Sequence, residues 1–389
     1  MVHKGGEYIL VYLDNAATSY PKPEEVCIAV EKCIRGNWGN PGRSVSKVSN
    51  SDDIVYETRE LISNFVNISN PKQVIFTSNA TDSLNLAISG ILKKGDHVIT
   101  TSIEHNSVIR PLKHLELENK IELSIVNANT YGYVNPSDIK SLIKSNTKLI
   151  VTTHASNVIG TIVPIQEIGK IASQNKIAYL VDCSQTIGVL DIDVQNMNID
   201  MLAFPGHKSL FGPTGIGALY IRPGIDLVPL RYGGTGNLSE GLTQPNEMPY
   251  KYESGTGNSI GIAGLNAGIK FILKEGLKNI REHEEHLTKY MMSQLKNNRF
   301  IQVYGTENMV DRTSVISINV KNQNPSEIGY DLLYAFDIIT RTGLQCSPLS
   351  HKTIETEKSG TIRFSIGYFN TEKDIDYTID AINQICKTL

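Results

Sequence analysis

Between about residues 70 and 220 the chain alternates short β-rich runs with stretches of helical period. Val74–Thr77 leads into a helical stretch from Ala80 to Leu92, and His97–Thr101 precedes another near Val108 to Leu117. Lys148–Thr153 precedes Ile165 to Ala172, and the apolar run Ala178–Asp182 comes next. A further apolar run begins at Met201 and feeds into Lys208, after which Gly217–Ile221 returns into the core. Runs that are apolar throughout are buried on both faces. That predicts an α/β fold with a largely parallel sheet covered by helices. Ligands of such sheets collect at the carboxyl ends of the strands. Asn79-Ala80-Thr81, Glu104-His105, Asn157, Asp182 and Lys208 all stand at those ends.

Beyond about residue 260 the pattern changes. One long helical region, Gly261 to about Asn297, is followed by Ser314–Val320, which alternates like a half-buried strand. Another helix and Thr361–Ile366 complete a smaller α+β domain. The expected division is a large domain over 16–260 and a small one over 1–15 plus 261–389. A length of 389 residues, more than one core usually serves, agrees with two bodies.

Composition removes several functional classes. An apolar fraction of 40% and a charged fraction of 20% are those of a soluble globular protein. A net charge of −3 gives no electrostatic case for nucleic acid or an anionic membrane. The first residues lack a signal-peptide core, and no apolar run approaches the ~18 residues of a membrane span. The 5 cysteines are odd in number and lack metal-ligand pairing, so a reducing cytoplasm and no metal site are expected.

Chemistry enters with Asp182 and Lys208. A lysine beyond one strand end and an acid closing another are what pyridoxal phosphate requires. The amine condenses with the cofactor aldehyde, and the carboxylate keeps the pyridine nitrogen protonated. Thr77–Asp82 is a strand-to-helix junction that suits a phosphate seat, although a plain N-cap has the same composition. His105 could stack on a planar cofactor or be a loop histidine. Asn157 and Gln185 could bond a phenolic oxygen or be ordinary turn residues. Cys346, in the loop-like stretch Arg341–His351, has polar neighbours and a nearby cation, which favour a reactive thiolate. Cys27, Cys33 and Cys386 fall on helical periods as packing residues, and Cys183 is read as a small wall residue beside Asp182. Arg363, inside an apolar strand, needs a partner: a bound carboxylate, or equally a protein Asp or Glu.

With these residues in view, the chain resembles the class V aminotransferase family of fold-type I pyridoxal phosphate enzymes, in its cysteine desulfurase and selenocysteine lyase branch. The resemblance runs through Tyr12–Thr18, Gly39–Arg43, Asn79–Thr81, Glu104-His105, Ser156–Thr161, Val181–Gln185 and Gly206–Lys208. It continues through Glu253–Asn258, Arg341–Cys346 and Arg363–Ser365. It implies a mostly parallel seven-stranded sheet. Lys208 would hold the cofactor, Asp182 its pyridinium, His105 its ring face, and Gln185 and Asn157 its phenolic oxygen. Ala80, Thr81 and His207 would bind its phosphate, joined by Thr256 from the partner in a homodimer. Arg363, with Asn157 and Ala17, would hold the substrate, and Cys346 would be the nucleophile. Three positions depart from the family pattern. Pro205 stands where a serine or threonine is usual, Ser46 where histidine is common, and Gly257 where proline is usual. The reaction implied is removal of sulfur from L-cysteine to give L-alanine and a Cys346 persulfide, with an acceptor protein as a possible partner. Selenocysteine lyase is the near alternative. A transaminase, an epimerase or another lyase on this scaffold needs no such cysteine, and a non-catalytic scaffold would not need Lys208 and Asp182.

Overall fold

The computed structural model describes residues 10–36, 50–236 and 240–387. A two-residue strand β1 (Val11–Tyr12) precedes a seven-stranded sheet. Its members are β2 (Val74–Thr77), β3 (Asp96–Thr101), β4 (Ile121–Val126), β5 (Thr147–Thr153), β6 (Ala178–Asp182), β7 (Met201–Pro205) and β8 (Gly217–Ile221). Their order is β2-β8-β7-β6-β5-β3-β4. Only β8 runs antiparallel to its neighbours, β2 and β7. Every residue of β6, β7 and β8 is buried, which is why their sequences read as unbroken apolar runs. The sequence pattern does not single out β4, because Glu122 and Ser124 dilute an edge strand that buries only its two ends.

Helices cover both faces. Ala80–Ile91 and Asn106–Leu117 pack Leu84, Ile88, Val108 and Leu112 on one side. Ile165–Gln174 and Ser259–Glu275 pack Ile168, Leu265, Ile269 and Ile272 on the other. The single helical region expected from Gly261 onward is two helices, Ser259–Glu275 and Leu277–Lys296, parted at Gly276. Gly276 has φ +87°, a conformation that glycine adopts without a Cβ penalty. The first helix belongs to the core of the large sheet. Leu287, Met291 and Leu295 of the second enter the other core. The packing therefore changes hands near Gly276, since periodicity marks an apolar face without saying which core covers it.

The second core lies under an antiparallel sheet of β9 (Ile301–Tyr304), β10 (Val315–Val320), β12 (Arg341–Gly343) and β13 (Thr361–Ser365), in the order β12-β13-β10-β9. Strand β11 (Ile338–Ile339) pairs in parallel with β1 as a separate two-stranded sheet, and Asp14 bridges to Ser365 at the end of β13 before the N-terminal segment crosses to the large sheet.

The large sheet's edge strand β2 is closed by a pair from the Glu253–Asn258 motif. The Glu253 carboxylate accepts the Phe76 N–H at 2.6 Å and pairs with buried Arg59 at 2.6 Å. Arg59 also donates to the Val74 carbonyl. Glu253→Ala would leave Arg59 buried and unpaired. Its expected effect is a loss on the order of 3 kcal/mol, read as a lower denaturant midpoint, and an unchanged midpoint would remove this role.

Candidate active site

The carboxyl ends of β5, β6 and β7 lie side by side, with Thr153 opposite Asp182 and Asp182 opposite Ala203. That register brings Asp182 beside the turn that follows β7 and carries Lys208. Asp182 is buried, and its Oδ1 accepts the Ser184 N–H at 2.9 Å and the Ser184 hydroxyl at 2.5 Å. Oδ2 is left for another donor. Burial pushes the Lys208 amine down to about 8, with Asp182 opposing the shift and Arg363 adding to it. The Lys208 turn is pinned by the N-terminal segment. The His207 carbonyl accepts the Ser19 N–H at 3.1 Å, the Thr18 hydroxyl at 3.0 Å and the Lys22 ammonium at 2.8 Å. The Ser19 hydroxyl donates to the Lys208 carbonyl at 2.9 Å.

His105 caps the helix Asn106–Leu117, and its Nδ1 accepts the Ser107 N–H at 3.1 Å. An acceptor Nδ1 fixes the proton of the neutral ring on Nε2. Burial, with Lys208 second, pushes this ring down to about 4. Beside it, the helix Ala80–Ile91 begins at Asn79, whose side chain accepts the Asp82 N–H at 2.9 Å. The N–H groups of Ala80 and Thr81 have no acceptor within the helix, and the dipole makes this end positive. The Thr81 and Ser107 hydroxyls meet at 2.7 Å. Gly217 allows β8 to pass this helix start, because a Cβ there would lie 2.8 Å from both the Asn79 carbonyl carbon and the Phe204 oxygen.

Ala80, Thr81, His105, Asn157, Asp182, Gln185, His207 and Lys208 line one cavity that opens to solvent. Pro205 lines it too, without a hydroxyl. Thr256 does not; it is exposed. Gln185 reaches the Ala16 carbonyl at 3.2 Å, which places Ala17 at the same crossing of the N-terminal segment.

Asn157 is tied to the Cys346 turn. Its Nδ2 donates to the Gln345 carbonyl at 2.7 Å, and its Oδ1 accepts the Ser347 hydroxyl at 2.6 Å. The Asn106 N–H donates to the Cys346 carbonyl at 2.8 Å. Cys346 itself is exposed. Arg363 is buried in β13; it donates to the Asn157 carbonyl at 3.0 Å and pairs with Asp14 at 2.5 Å. The protein acid allowed as its partner therefore exists, yet the Arg363 Nε is buried without an acceptor. Burial also lowers the arginine's pKa, against the pull of Asp14.

Several participants were given no role by the sequence. Asp14 and Ser184 lie in the stretches Tyr12–Thr18 and Val181–Gln185 without one, Ser107 and Ser347 are common polar residues, and the value of all four lies in where the fold puts them. Gly39–Arg43 and Ser46 lie outside the described residues. Cys33, Cys183 and Cys386 are buried as expected, whereas Cys27 is exposed, on the outer face of its helix. Among the described residues no cluster of His, Cys, Asp or Glu could hold a metal, and no helix is long and apolar enough to cross a membrane.

Glu104 is fully buried beneath this site. Its Oε1 accepts the Thr101 hydroxyl at 2.5 Å and the Thr153 N–H at 3.0 Å, and its Oε2 has no partner. Burial pushes the acid up from 4.5 to about 8, with the Asp182 charge in the same direction. The folded state thus keeps a proton that the unfolded chain releases. This group's contribution is complete below pH 4.5 and is lost as pH rises to about 8. Glu104→Gln is expected to gain on wild type between pH 5 and pH 8 by on the order of 3 kcal/mol. Denaturant midpoints at the two pH values test this. A constant difference would mean that Glu104 stays ionised.

The cavity fits pyridoxal phosphate. The His207 Nδ1 is buried without a partner, the Ala80–Ile91 helix start offers free N–H groups, and Asp182 keeps one acceptor oxygen. Comparison with known proteins points the same way. The profile of the family described as Aminotransferase class-V matches residues 11–378. A probable cysteine desulfurase of Borreliella burgdorferi is 35% identical over 396 aligned positions, covering 98% of this chain and 92% of its own. Another, from Methanothermobacter thermautotrophicus, is 32% identical and covers 96% of this chain and 94% of its own. The apo structure of a cysteine desulfurase from Thermococcus onnurineus superposes with a TM-score of 0.92 at 31% identity, covering 98% of this chain and 95% of that one.

Proposed function

The chain belongs to the class V aminotransferase family, and from that premise we propose that it is a pyridoxal phosphate-dependent cysteine desulfurase. It converts L-cysteine to L-alanine and receives the sulfur on Cys346. One observation carries the reading: Asn157, which lines the same cavity as Lys208, donates to the Gln345 carbonyl beside Cys346, accepts the Ser347 hydroxyl, and accepts Arg363 at its own carbonyl. The cysteine turn and the buried arginine are therefore both tied to the wall of the lysine cavity.

In this reading Lys208 would hold the cofactor through its aldehyde, Asp182 would pair with its pyridine nitrogen, His105 would cover its ring and Gln185 would bond its phenolic oxygen. Ala80, Thr81 and His207 would bind its phosphate, with Thr256 of the partner subunit completing the seat in a homodimer. When bound, the cofactor supplies an electron sink for the charge that develops at the substrate Cα. Arg363 grips the substrate carboxylate through donors that Asp14 and Asn157 leave free, and Ala17 borders the same space. The neutral Lys208 amine, available because burial lowers its pKa, removes the Cα proton. The Cys346 thiolate bonds to the substrate sulfur as that sulfur's bond to carbon breaks. Cys346 then carries a persulfide, and protonation releases L-alanine. A reducing, cytoplasmic setting keeps the thiol free between turnovers, and a thiol or an acceptor protein removes the sulfur.

The test incubates the cofactor-loaded protein separately with L-cysteine and L-selenocysteine and measures alanine together with sulfide or selenide. Alanine from cysteine is expected. Alanine from selenocysteine alone would move the assignment to a selenocysteine lyase, and alanine from neither would overturn both.

A further inference from the structure

Gln345 and Cys346 both have positive φ, +39° and +60°. Neither is glycine, and side chains persist in this region only where their surroundings hold the backbone there. Asn157 and Asn106 hold it from the large domain, as described above. A second set of bonds holds it from within the small domain. The Gln345 side chain turns inward and is buried, and its Nε2 donates to the Thr361 carbonyl at 2.9 Å. That bond fixes the amide, so Oε1 is the atom that meets His351 Nε2 at 2.7 Å. An amide oxygen only accepts, so Nε2 of the ring carries the proton and Nδ1 accepts the Thr356 hydroxyl at 2.8 Å. The imidazole is fully buried, and burial pushes its pKa down to about 4, which keeps this single neutral tautomer. His351 does not line the cavity around Lys208.

We propose that His351 is a positioning residue for the sulfur-accepting thiol: through Gln345 it holds the Cys346 turn in its left-handed conformation and so aims the sulfur at the substrate. The inference rests on Cys346 being the sulfur acceptor. Without the His351 bond, Gln345 loses its shortest contact and keeps the Thr361 carbonyl with two longer ones, the Arg341 carbonyl and the Thr361 hydroxyl, both at 3.4 Å, and the turn relaxes toward negative φ. That swings the Cα–Cβ bond of Cys346 to a new direction. A displacement of about 1 Å at a reacting atom costs about 100-fold in rate.

The experiment compares His351→Ala and His351→Gln with wild type and with Cys346→Ala. Two rates are measured in the loaded enzyme: exchange of the L-cysteine Cα hydrogen with deuterated water, which depends on Lys208, and alanine formation. A third, alkylation of Cys346 by iodoacetamide in the cofactor-free protein, is followed by peptide mass spectrometry. His351→Ala should lower alanine formation about 100-fold, leave Cα exchange intact and change the Cys346 alkylation rate. Glutamine can place an N–H near the same Gln345 oxygen and should restore most of the loss. A parallel fall of both loaded-enzyme rates would show a merely structural role and overturn the proposal. So would alanine formation and alkylation that match wild type. If His351→Ala does not fold, Thr356→Val, which frees the tautomer, should show a smaller change with the same split, and no split would overturn the proposal. Full alanine formation by Cys346→Ala would instead sink the desulfurase reading itself, so the two failures are distinct.

Discussion

Lys208→Ala is expected to lose both covalent capture of pyridoxal phosphate and turnover of L-cysteine. Proton transfer by a positioned side chain contributes about 10²- to 10⁴-fold, so Cα exchange on added cofactor should fall by at least that factor. The reason lies in the turn itself. Thr18, Ser19 and Lys22 fasten the carbonyls of His207 and Lys208, so the amine is delivered from a fixed backbone. Its pKa of about 8 keeps a usable neutral fraction near neutral pH. In the cofactor-free protein the rate of capture should therefore rise as pH passes through about 8 and level off above it, because only the unprotonated amine is a nucleophile. The absorbance of the bound cofactor reports both effects. A Lys208→Ala protein that still bonds the cofactor covalently would move the role to another amine.

Cys346→Ala is expected to separate the two halves of the reaction. Alanine formation should fall by on the order of 10³-fold or more, since removing one member of a concerted group costs about as much as removing the group. Cα exchange should persist, because Asp182, Lys208 and His105 are untouched. The variant should fold normally, given that the thiol is exposed and the turn is held through backbone carbonyls and neighbouring side chains. Alanine formation at the wild-type rate would remove Cys346 from the chemistry. Loss of Cα exchange as well would mean that the thiol supports the cofactor site and not the sulfur step.

Both predictions use residues that stand out in the sequence, but the two were legible for different reasons. Lys208 and Asp182 follow unbroken apolar runs, and a run buried on both faces ends where a parallel sheet opens to ligand. Cys346 has no such marker. Its stretch is irregular because two successive residues take left-handed angles, and nothing in its composition announces the inward turn of Gln345. Asn157 was legible as a strand-end amide, yet its hold on the Cys346 turn spans about 190 residues of sequence and has no local signature. Arg363 posed a question that sequence could not answer, because a substrate carboxylate and a protein acid satisfy a guanidinium equally well. The fold supplies Asp14 and still leaves Nε without an acceptor.

By itself the sequence determined the elements with strong period: the doubly buried strands, the helices between them and the polar residues at their ends. Those follow from side-chain burial within a few residues. Tertiary structure alone decided the split at Gly276, the course of the edge strand β4 and the pinning of the Lys208 turn by Thr18, Ser19 and Lys22. It also decided the brace of Asn157, Gln345 and His351 around Cys346. Each of these depends on which distant segments pack together. A hydrogen bond across the site is set by strand register and by the meeting of two cores, and neither is written in the period of any one segment.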